Sequence, residues 1–289
     1  MKFGIREICN VVLKAKKDGK ILGKTFKKGQ PVLWFDSLKT SGLEGTGEIV
    51  YARGGRGNTK LVSWTGDKDV IFNMEDALLS PMSLALLTAG SLANANENNK
   101  IISHKTIDCY CILEQKEDDE TGETHHGYYI DMSDDGKNSK WFHELDKLVE
   151  NTPVYGFYKG RSFSGMNGSS NAPLDIPVEN ENEDEIIIKL DFYTEETSKI
   201  TQIDITPDSF GANFYLEAET LFRDDEKGID HAAEFIIPNC RVQSNFSFTM
   251  ASTGDPSTFT FAMDVFPDYL DDNAIKKVLC AIQVFEEIE

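Results

Sequence analysis

Five histidines, His104, His125, His126, His143 and His231, are the side chains of this 289-residue chain best suited to move protons near neutral pH. Catalysis needs such a base beside a nucleophile in a pocket. His125 and His126 are adjacent and flanked by Asp- and Glu-rich sequence, a setting that points to a solvated surface. Cys109 and Cys111 are two apart, so on a strand they share a face. With His104, His125 and His126 nearby they offer zinc-binding groups, but the spacing matches no common ligand pattern. Asp224, Asp225 and Glu226 carry calcium-binding oxygens without the twelve-residue loop that calcium takes, and a hairpin turn explains them. Gly54-Gly-Arg-Gly-Asn58 resembles a phosphate loop, yet it lacks the following Gly-Lys-Ser/Thr and leads into a strand pattern. Neither a Gly-x-Ser-x-Gly elbow nor a His-Glu-x-x-His run occurs. The expectation is a protein that is not an enzyme, with no catalytic residues, no metal and no cofactor.

The elements that hold these residues are mainly strands. Asp18-Gly19 offers the positive-φ positions of a type I′ hairpin turn, which would pair Ala15 with Leu22 and Val11 with Phe26. Thr65-Gly-Asp-Lys68 reads as a second hairpin turn. Ser80 followed by Pro81 is a helix start and Gly90 a helix stop, with Leu84, Leu86 and Leu87 toward the core. Trp141, Leu145 and Leu148 share one side of another short helix. Residues 160–185 read as a long surface loop. The strand pattern then resumes from 186 to the end. The fold class expected is mainly β: an antiparallel β-sandwich or barrel with a short flanking α-helix and an inserted α+β elaboration. Residues 1–111 and 186–289 form the main domain, and 112–185 the insertion or surface subdomain.

Charge is distributed unevenly. The chain carries a formal net charge of −20. Residues 1–30 hold nine Lys and Arg against Glu7 and Asp18, leaving the remainder strongly anionic. Such polarity favours head-to-tail contact between copies and disfavours nucleic-acid binding over most of the surface. Lys14, Lys16, Lys17, Lys20 and Lys24, in the first hairpin, are the candidate inter-subunit residues. The five cysteines are odd in number and scattered, and residues 1–7 do not read as a signal peptide. Reduced, mostly buried thiols are expected. No 18-residue apolar run suggests a membrane span.

Near the C-terminus, Phe246, Phe248 and Met250 share one face of a strand pattern, and Phe259, Phe261, Met263 and Val265 share one face of the next. The seven form a candidate core ribbon whose other side carries small hydroxyls. This ribbon, with residues 220–228 and 233–242 before it and residues 61–80 near the N-terminus, resembles bacteriophage tail tube (major tail) proteins. The resemblance implies a structural virion protein of the tail, made in the bacterial host cytoplasm. It implies self-assembly into stacked hexameric rings with an acidic lumen for DNA ejection. The partners it implies are copies of the chain and other tail proteins such as sheath, baseplate or terminator. DNA would meet it only in passage, without sequence-specific binding. A capsid decoration or baseplate protein is the alternative, and a β-sandwich hydrolase or carbohydrate-binding protein the second.

Overall fold

The computed structural model describes residues 2–5, 7–117, 124–131, 136–150, 152–166, 176, 184–208, 210–247, 252, 258–271 and 273–285. In chain order the elements are β1 (Phe3–Ile5), β2 (Asn10–Ala15), β3 (Gly19–Ile21), β4 (Lys24–Phe26), β5 (Pro31–Phe35), β6 (Leu38–Gly54), β7 (Thr59–Asp76), α1 (Pro81–Thr88) and β8 (Ser91–Asn94). They continue with β9 (Ile101–Glu117), β10 (Thr124–Ile130), α2 (Ser139–Leu145), β11 (Val154–Tyr158), β12 (Arg161–Met166) and β13 (Glu185–Glu196). The chain ends with β14 (Thr201–Asp204), β15 (Asn213–Asp224), β16 (Asp230–Val242), β17 (Phe259–Val265) and β18 (Ala281–Val284). The fold is mainly β and antiparallel, as the patterning implied. Two compact units result, Met1–Ala93 with Ile203–Glu289, and Asn94–Gln202. The compositional break at 112 and 185 falls inside one ladder of the second unit, where Ile112 lies opposite Glu185.

The first unit is built on a nine-stranded sheet of order β5-β2-β15-β16-β17-β7-β6. There β1 takes the edge of β15 beyond β2, and β18 takes the edge of β16 beyond β17. Alternation decides the faces: Val11, Leu13 and Ala15 of β2 and Phe214, Leu216 and Ala218 of β15 are buried, while Lys14 and Glu217 point the other way. The sheet curls on itself. In flat ladders at about 4.8 Å per strand, β5 and β17 would stand roughly 19 Å apart. Instead the Phe35 and Phe261 rings meet edge to face at 5.1 Å. The two ends of the strand order, β5 and β6, are also joined by only Asp36 and Ser37. Helix α1 supplies Leu86 and Leu87 to the same core. Its start is fixed locally by a capping box between Ser80 and Ser83, with Pro81 in the first turn. The left-handed residue that ends it is Ala89, not Gly90.

Both expected turns move. The tight hairpin is β3–β4, which turns at Leu22-Gly23, both at positive φ, while Gly19 is extended. Chain proximity explains the choice: a Cβ on Gly23 would lie 2.6 Å from the carbonyl oxygen of Leu92. β2 therefore pairs with β5 and β15 and not with residues 22–26. Thr65-Gly-Asp-Lys68 makes no turn. It lies within β7, where a register shift between Gly47 and Ile49 absorbs the extra residue, and the actual turn is the glycine loop Gly55–Asn58.

The second unit carries a five-stranded sheet of order β10-β9-β13-β11-β12. Its core contains Ile186, Ile188, Leu190 and Phe192 of β13, with Trp141 of α2 edge-on to Phe192 at 5.1 Å. Leu145 and Leu148 pack against this core, on the side expected for them. Residues 161–166, expected in a loop, form β12 because Phe163 crosses to cover Gly156 on β11. The remainder of that expected loop lies almost entirely outside the described residues.

Candidate assembly interface

The residues with catalytic chemistry are dispersed. His104 pairs with Asp191 on the surface of the second unit, and His143 is exposed on α2. His125 and His126 lie on β10 opposite Lys116 and Gln115. His231 is buried in the first unit, edge-on to Phe3, and its Nε2 has no hydrogen-bond partner among the described residues. Cys9, Cys109, Cys111 and Cys240 are buried free thiols. A hydrogen bond with Cys109 and burial push the Cys111 thiol up, burial alone does the same for Cys240, and Cys280 is pushed up to about 11 by burial. Such thiols are poor nucleophiles. Among the described residues no group of three or more His, Cys, Asp or Glu is placed to hold a metal ion. The Asp224 carboxylate instead accepts hydrogen bonds from the backbone N–H groups of Glu226 and Lys227, at 2.7 and 3.2 Å. These bonds hold its carboxyl below the usual range and close the β15–β16 turn.

The five lysines do not form one patch. Lys14 donates to Glu217 and Lys16 to Asp268, both half-buried pairs within the chain. Lys17, Lys20 and Lys24 are exposed around the β3–β4 hairpin. Of the candidate ribbon, Phe261, Met263 and Val265 are buried on β17 and Phe259 is half-buried, with Phe261 and Met263 packed opposite Met74 and Phe72 of β7. The preceding strand stops at Val242, earlier than the pattern suggested. Phe246 is exposed outside any strand, and Phe248 and Met250 lie outside the described residues.

What sequence reasoning missed is an arm. From Thr46 and Asp69 outward, among the described residues β6 and β7 pair only with each other, ending at Gly54 opposite Thr59. At about 3.3 Å per residue the ribbon runs roughly 30 Å. Ile49, Val50, Leu61, Val62 and Trp64 on it are between 50 and 64% exposed. Ile49 and Val50 are successive and so point to opposite faces, as do Leu61 and Val62; among the described residues neither side of the ribbon is covered. One face carries a contiguous apolar stripe, Val50 opposite Trp64 and Ala52 opposite Val62. At the tip, Lys60 sits 3.7 Å from the Tyr51 ring centroid and Arg53 sits 6.0 Å from it. The sequence signals available were the apolar, β-branched and aromatic runs 49–52 and 61–64 on either side of a loop with three positive-φ positions, Gly55, Gly57 and Asn58.

The first unit thus joins a curled antiparallel sheet to an arm whose apolar side chains are exposed on both faces. A model of the YomU/Tube protein family matches residues 3–100 and 157–279, and the chain belongs to that family. This is a family of phage tail tube proteins, so the resemblance read from the strand and turn patterns holds. Membership makes the chain a structural component of the virion tail that assembles with other tail components. The unmatched segment between the two matches lies within the second unit. No curated protein matches the chain. No helix of the described residues is long and apolar enough to cross a membrane.

Proposed function

We propose that the chain is a tube subunit that assembles with copies of itself into stacked hexameric rings, whose acidic bore lets DNA pass without holding it. The arm carries this reading. A lone two-stranded ribbon is at best marginally stable in water, and this one leaves five large apolar side chains half exposed. Exposed edges and faces of this kind are protected in native assemblies by pairing or cover. A neighbouring copy supplies that cover.

The charge distribution supports the bore. Each Lys or Arg that neutralises a phosphate adds salt-dependent affinity, so a conduit for DNA works best without them. Carboxylates repel the backbone over a Debye length of about 8 Å in physiological salt. The strong anionic excess outside residues 1–30 provides those carboxylates. Residues 112–185 are proposed as a surface elaboration built on the sheet of the second unit.

Electron microscopy and sedimentation of the purified protein over a range of concentrations test the reading, with tubes or six-fold rings expected. Replacing residues 48–67 by Asn-Gly joins Gly47 to Lys68, which face each other in the ladder, and shortens the arm without disturbing the sheet. That variant is expected to stay monomeric with an unchanged circular dichroism spectrum. Wild-type protein that remains a monomer under every condition overturns the proposal.

A further inference from the structure

We propose that the tip of the arm on one copy seats in an acidic groove over β15 and β16 of the next. This contact rests on the tube reading and names its receptor surface. The groove, of about 580 Å³, lies between the segment leading into β2 on one side and Phe285 on the other. Glu7, Glu219 and Glu234 line it together with Ile8, Leu221 and Phe285. The three carboxylates make no ion pair with any described residue, and the three apolar side chains are partly exposed. Lys14, the cation acting on Glu234, is committed to Glu217.

The groove is unfavourable as it stands. Glu219 and Glu234 lie directly opposite each other on adjacent antiparallel strands, a like-charge arrangement that opposes folding. Glu234 is also half-buried, so its charge is only partly solvated. A cation arriving with apolar surface around it would relieve both defects.

The arm tip has that composition. From Ile49 to Gly66 the ribbon holds Arg53, Arg56 and Lys60 and no acidic residue. Three cations at the tip face three carboxylates in the groove, and the stripe of Val50, Val62 and Trp64 supplies apolar area for Ile8, Leu221 and Phe285. Arm and groove are different patches of one chain, and contacts between unlike patches close rings or propagate filaments.

Charge-swap complementation tests the contact. The arm variant is Arg53→Glu, Arg56→Glu and Lys60→Glu; the groove variant is Glu7→Lys, Glu219→Lys and Glu234→Lys. Circular dichroism and thermal melting verify that each is folded, and Glu219→Gln with Glu234→Gln replaces the groove variant if it is not. At low salt each variant alone is expected to raise the protein concentration needed for assembly by more than about tenfold. Mixing the two reversed variants, or combining both sets in one chain, is expected to restore assembly. Reversed variants that assemble at the wild-type concentration overturn the contact while leaving the tube reading intact. Folded reversed variants that fail to complement each other also overturn it. A wild-type protein that never assembles overturns the tube reading and this contact together.

Discussion

Glu234→Gln separates the needs of folding from those of assembly. Glu234 lies opposite Glu219 across the β15–β16 ladder, and it makes no hydrogen bond to a described residue that the substitution would remove. Directly opposed residues have Cβ atoms about 5 Å apart, and like charges there cost roughly 0.2–1 kcal/mol. Coulomb's law gives a similar figure, about 0.7 kcal/mol for two carboxylates 6 Å apart in water. A stabilisation of about 0.5 kcal/mol is therefore expected in Glu234→Gln at pH 7. In a unit of about 180 residues that amounts to roughly 1–2 °C in Tm.

The pH dependence follows from the direction of the shift. Partial burial, with Glu217 and Glu219 behind it, raises the Glu234 carboxyl above its ordinary value. The folded state thus holds this proton more tightly than the unfolded chain. Below the ordinary carboxylate value both states are protonated and Glu234 costs nothing. The cost grows as pH rises from there through the raised value, and is complete above it. Urea unfolding followed by far-UV circular dichroism, on dispersed subunits at several pH values and salt concentrations, reads this directly. The advantage of Gln is expected at neutral pH and low salt, smaller at high salt, and absent in acid. A Gln variant less stable than wild type at pH 7, or an advantage that persists unchanged in acid, refutes the reasoning.

Two further outcomes are expected. Gly23→Ala forces a side chain into a left-handed position, with its Cβ 2.6 Å from the Leu92 carbonyl oxygen; thermal melting should show a loss of about 1–3 kcal/mol. Lys16→Met removes the partner that, together with the Tyr269 N–H, holds the Asp268 carboxyl below its usual range, at a cost of about 1 kcal/mol at pH 7. Because the folded-state value is depressed, that difference is present above the ordinary aspartate value and should disappear as pH falls through the folded one.

Legibility in the sequence tracked the range of the interactions. Helix α1 was readable because its start depends on Ser80, Pro81 and Ser83, all within one turn. The buried side of β17 was readable because alternation is a property of one strand. The first hairpin turn was misplaced because Asp18-Gly19 and Leu22-Gly23 are both acceptable locally, and the approach of Leu92 decides between them. Lys14 and Lys16 were read as free for a neighbour because their partners, Glu217 and Asp268, lie 203 and 252 residues away. The arm escaped notice because Thr65-Gly-Asp-Lys68 is acceptable locally as a turn, which cuts the second strand of the ribbon, and an apolar run reads as buried whether or not anything covers it. Only the ladder and the exposures together distinguish the two cases.

The pairing of Lys14 and Lys16 within the chain bears on how charge serves a tube. If these two lysines were drawn into contacts between copies, the sheet would lose the pairs that neutralise Glu217 and Asp268. With Lys14 and Lys16 held inside the subunit, the cations open to a neighbour include the exposed Lys17, Lys20 and Lys24 and those on the arm. An uncovered ribbon and an opposed pair of glutamates each work against the isolated chain, and natural sequences keep such local conflicts where function requires them. Under the proposed contact one event relieves both, so subunit stability and assembly become coupled by mass action, and the melting temperature rises with protein concentration. The same event withdraws Arg53, Arg56 and Lys60, three of the 29 Lys and Arg, from every surface that DNA can reach. Assembly itself would then remove cations that could hold a phosphate backbone, and the bore need not be free of them in the free subunit.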